Sequence, residues 1–268
     1  MTTSSRGTTC ARRERMMTRV DATIQARTGS SRLPGKVLRD LDGKPLLQYQ
    51  IERIQQSRRI DRIILATTDR PQDDALASLA ESMGIGCFRG SEDDVIARVC
   101  GALRAFDVDV HAEFMGDNSI PDANVIDHVI DTFFELGDSV DYVTNALKTT
   151  YPPGLEVSVY RAATLFDAES KIVDGDIREY CGFHIYTHPE RYRIVNVDAP
   201  EHQRRPHLHL EVDTEEDFQV VASVYRHFTG SMTFTLDDVI AFADSNPELF
   251  ATNARVERRW KQYRQDED

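Results

Sequence analysis

No run in this chain approaches the ~18 consecutive apolar residues that a membrane-spanning helix needs, and no short apolar core marks a signal peptide. The four cysteines, Cys10, Cys87, Cys100 and Cys181, show no C-x-x-C spacing. That usage reads as reduced thiols in a cytoplasmic protein rather than a disulfide framework. An excess of positive charge is also missing: 32 Lys and Arg stand against 45 Asp and Glu, a formal charge of −13. A nucleic-acid binder needs a basic face, so nucleic acid is not an expected partner. An acidic protein that binds phosphates must meet them with local arginines and lysines or a divalent metal. Internal repeats and clear linkers are absent too, so the 268 residues, 40% of them hydrophobic, read as one large domain.

Residues 1–19 differ from the rest. Arg6, Arg12, Arg13, Arg15 and Arg19 face a single acid, Glu14, among many Ser and Thr. This reads as a disordered basic leader, or as sequence ahead of a start at Met16 or Met17. From Val20 the pattern becomes regular. "VDATIQA" predicts a strand, "PLLQYQIERIQQS" a helix with Pro45 in its first turn, and "DRIILATT" a buried parallel strand. A helix ending at Gly84, a short strand "IGCFRG" and a helix over "SEDDVIARVCGALRAF" follow, the last with Ser91 as N-cap and Asp94 in the reciprocal position. Then come a strand in "DVHAEFMGD" and a helix in "DANVIDHVIDTFFELG". Such alternation predicts an α/β fold, with helices on both faces of a mostly parallel sheet. Farther on, "DYVTNALKTTYPPGLEVSVY" reads as a loop or hairpin excursion, and "RYRIVNVDAP" and "PHLHLEVDT" as strands. "TEEDFQVVASVYRHF" reads as a helix capped by Thr214 and Asp217, and "TLDDVIAFADSNPELF" as one helix and a short second one. The expected organisation is one domain over 20–253, a β-rich flap around 145–200 and a charged tail over 254–268.

The segment "IQARTGSSRLPGK" (24–36) follows the first strand. It is not a P-loop: five residues separate Gly29 from Gly35, and Val37 rather than a hydroxyl residue follows Lys36. It is not a dinucleotide fingerprint either. Its chemistry nevertheless suits phosphate. Glycines let backbone N–H groups approach oxygen, Arg27 and Arg32 can fork onto phosphate oxygens, and Lys36 adds a point charge. Taken alone, the loop is equally a solvated basic turn.

"IQARTGSSRLPGKVL…GKPLL" closely resembles the opening signature of the cytidylyltransferases of the spore coat polysaccharide biosynthesis protein F type, which are related to the CMP-Kdo and CMP-neuraminate synthetases. The similarity continues in register through "FRGSEDDV", "GDNSIPDANVID", "YPPGLEVSVY", "HLEVDTEEDF" and "FTLDDVIAFADSNPEL", roughly residues 20 to 253. The resemblance implies a Rossmann-like doubly wound sheet and transfer of CMP from CTP to an acceptor oxygen, with pyrophosphate leaving and Mg²⁺ required. It implies that Arg27, Arg32 and Lys36 grip the triphosphate, and that Ala26, Gly29, Ser30, Asp69, Arg89 and Ser91 lie around the nucleotide. Asp117 and Asp213 match the metal-binding aspartates. Glu113, Asn145, Glu156, Arg178 and Tyr180 fall at acceptor-side positions. Relatives often pair through the flap, so a homodimer is expected.

Several positions depart from the family. Its Arg-x-Thr-Gly-Asp-Cys-Pro turn is "EFMGDNS" here, with Glu113 for arginine and Met115 for threonine; Glu156 and Ser158 take the flap's acidic positions; and Tyr180 and Gly182 replace a histidine and a threonine. The loop that grips CTP is kept while the acceptor side changes, which points to an unusual acceptor: a sugar acid, a phosphonate, or a neutral or cationic sugar. Two other readings remain. A non-catalytic relative would bind nucleotide or a partner protein through the same surface, and another nucleotidyltransferase would use a different NTP. The pair His207 and His209 also raises a zinc site, against a mixed polar strand face.

Overall fold

The computed structural model describes residues 18–172, 176–179, 181–229 and 231–258. Most of the leader, Tyr180 and the end of the charged tail lie outside the described residues. The centre is a seven-stranded sheet in the order β5-β4-β1-β6-β8-β7-β9. Its strands are β1 (Val20–Gln25), β4 (Arg62–Thr68), β5 (Gly86–Gly90), β6 (Val110–Met115), β7 (Tyr142–Thr144), β8 (Ser158–Arg161) and β9 (Ile194–Asn196); a two-stranded ribbon of β2 (Asp40–Leu41) and β3 (Lys44–Pro45) lies apart. Every neighbouring pair in the large sheet is parallel except those that β8 makes with β6 and β7.

Period-two alternation explains the two faces. Ala22 and Ile24, Ala112 and Phe114, and Val143 and Val159 point to one side. There they pack against α1 (Leu46–Ile54), α2 (Asp74–Ser82) and α4 (Ala123–Leu136). Ile64, Ala66, Tyr142 and Tyr160 face the other side, under α3 (Val95–Ala105), α5 (Ala162–Glu169) and the short α6 (Phe183–Tyr186). This second face also carries a buried polar seam. Thr23 contacts His111 at 2.6 Å, Glu113 accepts from Gln25 and Tyr160 at 2.5 Å each, and Tyr142 donates to Ser158 at 2.8 Å. A third cluster joins α7 (Glu215–His227), α8 (Leu236–Ser245) and α9 (Pro247–Ala251) to Leu208, Leu210 and Val212. Among the described residues no helix is long and apolar enough to cross a membrane.

Three local expectations change. The helix expected from Ser91 starts at Val95, and its N-cap is Asp94, whose carboxylate accepts from the Ala97 N–H. The Ser91 hydroxyl instead accepts from the Asp94 N–H at 3.0 Å, forming a turn ahead of the helix. "PHLHLEVDT" is not a strand; its one sheet-like contact is an isolated bridge between Glu211 and Asn118. Around 145–200, the strands β8 and β9 join the central sheet, and the rest is loop and short helix. Pro200 and the two prolines near 152 deny that stretch ladder donors. The capping box Thr214/Asp217 forms as the sequence predicts, and Thr235/Asp238 forms a second one.

Candidate active site

The cleft opens at the carboxyl ends of β1 and β6, where doubly wound sheets place their ligands. The chain leaves β1 through Ala26 and Arg27 into the loop. The loop's shape depends on Asp73, which is fully buried. Its carboxylate accepts from the Thr28 N–H at 2.8 Å, from the Thr28 hydroxyl at 2.6 Å, and from the Thr68 hydroxyl on its other oxygen. The Gly35 N–H closes the loop on the Thr28 carbonyl at 2.9 Å. Lys36 then begins a short 3-10 turn that drives its side chain inward, to 8% exposure.

Beyond β6, the turn at Gly116 passes so close to β1 that a Cβ there would lie 2.8 Å from the Gln25 carbonyl and 2.9 Å from the Ala26 Cβ. Only glycine fits, and Asp117 is delivered to the rim. The Asp117 carbonyl accepts from the Val212 N–H at 3.0 Å, which brings the following Asp213 alongside. Asp213 is held from behind: its N–H donates to Asp217 at 3.0 Å, and Asp217 receives both guanidinium arms of the buried Arg258, at 3.0 and 2.7 Å.

The result is a knot of opposite charges. Lys36 Nζ donates to Asp117 Oδ2 at 3.1 Å and to Asp213 Oδ1 at 2.9 Å. Arg32 pairs with the other oxygen of Asp213 and donates to the Glu257 carbonyl at 2.9 Å. Burial opposes the charge on Lys36, but Asp117 and Asp213 outweigh it and hold its pKa above the usual lysine value. A cation therefore already sits between the two aspartates. Their all-oxygen donor set suits Mg²⁺, which is satisfied by a few carboxylates plus phosphate oxygens and waters. Among the described residues no group of three or more His, Cys, Asp and Glu gathers as a metal cage, so protein ligands alone do not complete a coordination shell. The same observation removes the zinc reading of His207 and His209: His207 is exposed, while His209 is buried 3.5 Å from Glu211.

Ala26, Arg27, Gly29, Ser30, Arg32, Lys36, Asp117 and Asp213 all line the cleft, as the loop reading expects. Among the described residues, the other expected ones do not. Asp69 is exposed at the end of β4. The Arg89 guanidinium donates to the Thr68 and Arg70 carbonyls at 2.9 and 2.8 Å and pairs with Asp74 at 2.7 Å, so it fastens the neighbouring loop. Ser91 serves the turn before α3. Glu113 lies in the polar seam, where burial raises its pKa; the Gln25 and Tyr160 bonds use its oxygens inside the protein. Asn145 donates to the Leu155 carbonyl at 3.0 Å and accepts from the Val157 N–H at 2.9 Å, latching the flap. Glu156 accepts from the Gly154 N–H at 2.8 Å, and Arg178 is paired with Asp94 at 2.7 Å. Tyr180 lies outside the described residues. Glu113 and Asn145 are thus both buried and bonded within the protein.

Sequence reasoning missed Asp73, Arg98, Glu179 and Arg258. Arg98 and Glu179 line the cleft, and Met115, 40% exposed, stands at its mouth. Val95 and Arg98 are spaced i, i+3, so a shared helix face was the available signal for Arg98.

Comparisons with known proteins bear on the family and the fold. Residues 22–243 match the family model described as Cytidylyltransferase. An uncharacterized protein of Methanocaldococcus jannaschii is 33% identical over 245 residues, 91% of this chain and 98% of that protein. The spore coat polysaccharide biosynthesis protein SpsF of Bacillus subtilis is 32% identical over 230 residues, 84% of this chain and 94% of that one. The solved structure of a cytidylyltransferase from Leptospira borgpetersenii superposes with a TM-score of 0.84 at 25% identity, covering 90% of this chain and all of that one.

Proposed function

This chain belongs to the cytidylyltransferase family, and from that premise we propose that it moves CMP from CTP onto the oxygen of a small-molecule acceptor and releases pyrophosphate, with Mg²⁺ required. One observation carries the reading: Arg32, Lys36, Asp117 and Asp213, from three separate segments, converge within direct ion-pairing contact at the edge of the cleft. In the reaction an acceptor oxygen forms a bond to the α-phosphorus, the bond from that phosphorus to the bridging oxygen breaks, and the electron pair leaves with pyrophosphate. Such chemistry needs positioning and cancellation of charge more than covalent help.

Arg27, Arg32 and Lys36 hold the triphosphate. Arg32 and Lys36 exchange their carboxylate partners for phosphate oxygens as CTP enters, and Asp117 and Asp213 are thereby freed. Those two carboxylates would hold Mg²⁺, which when bound neutralises charge on the phosphates. Gly29 and Ser30 line the same part of the cleft. SpsF is named for polysaccharide synthesis, which favours an acceptor of the sugar or sugar-acid class; a phosphonate fits the same chemistry. The test is pyrophosphate release with each of the four NTPs and Mg²⁺ against sugar acids, amino sugars and phosphonates. CTP-dependent release that Asp117→Ala abolishes is the expected result. Failure to bind any nucleotide would refute the reading.

A further inference from the structure

Arg98 is a buried cation that no carboxylate touches among the described residues; Asp73 and Glu92 attract it only from beyond contact. It lies in the first turn of α3, lines the cleft beside Val95, and is 3% exposed. Its Nη1 donates to two uncharged acceptors, the carbonyls of Ser91 at 2.5 Å and Glu92 at 3.4 Å, and its Nε has no acceptor at all. Among the described residues no carboxylate lies within ion-pairing distance. The nearby acids are spent elsewhere: Glu92 on Arg70, Asp94 on Arg178, and Asp73 on Thr28 and Thr68. Arg27 donates to the same Glu92 carbonyl at 3.0 Å, so two guanidiniums converge on one oxygen. Burial, and then the charge of Arg27, hold the Arg98 pKa below the usual arginine value. A buried guanidinium beside a half-buried one, neither in contact with a carboxylate, gains from an oxyanion that touches both.

We propose that Arg98 and Arg27 together form an oxyanion subsite on the α3 side of the cleft, distinct from the Lys36–Asp117–Asp213 cluster. The proposal rests on the nucleotidyl-transfer reading and deepens it. Its ligand is a phosphate of the nucleotide or the acid group of the acceptor; the planar guanidinium fork matches either. Asp117, Glu179 and Asp213 are the acids that line the cleft, and Asp117 and Asp213 are already matched by Lys36 and Arg32.

The experiment compares wild type, Arg98→Met and Arg98→Lys by calorimetric titration with cytidine, CMP and CTP, and by acceptor kinetics. If the oxyanion is a nucleotide phosphate, Arg98→Met weakens CMP and CTP by about 10- to 100-fold and leaves cytidine unchanged. If it is the acceptor's acid group, the nucleotide titrations stay as in wild type and the acceptor KM rises by a similar factor with little change in kcat. In both cases Arg98→Lys recovers part of the loss. An equal loss for cytidine would show that Arg98 only shapes the loop, and would overturn the proposal, as would no change in any arm. Arg98→Met removes a buried charge but also its bonds to the Ser91 and Glu92 carbonyls, so its melting temperature is measured beside the titrations; should it fail to fold, Arg98→Lys carries the same comparison. A wild type that binds CMP through Arg98 yet releases no pyrophosphate would sink the transfer reading and leave the subsite standing.

Discussion

Replacing Lys36 with methionine tests the charge knot directly. The ammonium touches Asp117 at 3.1 Å and Asp213 at 2.9 Å. At an effective dielectric of ~20, each such contact is a gross attraction of roughly 5 kcal/mol, most of it offset by desolvation of the ions. Lys36 and Asp213 are 8% exposed, but the Asp117 side chain keeps 29% of its surface in water, and Arg32 still neutralises one oxygen of Asp213. The net loss should therefore fall at the lower end of what breaking a buried pair costs, about 3 kcal/mol. In a domain of this size that lowers the melting temperature by about 5–12 °C. The pH dependence has a defined sign. The folded pKa of Lys36 lies above its unfolded value, so its contribution is fully present below ~10.4 and disappears as pH rises through the folded pKa. The gap between wild type and variant should accordingly narrow only in strong alkali. Mg²⁺ supplies the decisive arm. With the ammonium gone, the paired carboxylates are open to the metal, so Mg²⁺ should raise the melting temperature of Lys36→Met by several degrees more than that of wild type. The increment should vanish in the Lys36→Met/Asp117→Ala double variant. Equal Mg²⁺ effects on wild type and Lys36→Met would refute the assignment of Asp117 and Asp213 as a metal pair.

Three further outcomes follow from the geometry. Asp73→Ala removes three hydrogen bonds that shape the loop; CTP affinity should fall about tenfold by titration, with stability lower by about 2–4 kcal/mol in urea. Glu113→Gln should leave stability near wild type at pH 4.5 and exceed it at pH 8. Burial raises the Glu113 pKa, so the wild type loses stability as pH rises from ~4.3 through the folded pKa, and denaturation at the two pH values shows no such divergence if the reasoning is wrong. Gly154→Ala should be destabilising by at least about 2 kcal/mol in urea denaturation. Its φ is +106°, and the new Cβ would lie 2.5 Å from the Glu211 backbone N.

The sheet was legible because its strands are short, apolar and alternate with amphipathic helices, and each such signal is local. Arg32, Lys36, Asp117 and Asp213 were legible through family resemblance, and the fold brings them together. The partners of Arg89 and Asn145 were not legible, because sequence gives a side chain's chemistry alone: carbonyls at 68 and 70 accept from one, and the flap backbone bonds the other. Ser91 lost the cap to Asp94 because both residues are good caps three positions apart. Asp73 and Arg98 looked like ordinary helix charges. What sets them apart is burial, which depends on segments dozens of residues away.

The contact between Arg32 and the Glu257 carbonyl spans 225 positions of the chain. During synthesis at about 5–20 residues per second, the two ends of that contact are made roughly 10–45 s apart. The central strands can pair well before then. Arg32, and Asp213 behind it, gain these supports only when residues 257 and 258 arrive. A nascent chain can therefore hold a formed sheet while its cleft is still unfinished, and the cleft is complete only after residues 257 and 258 have emerged.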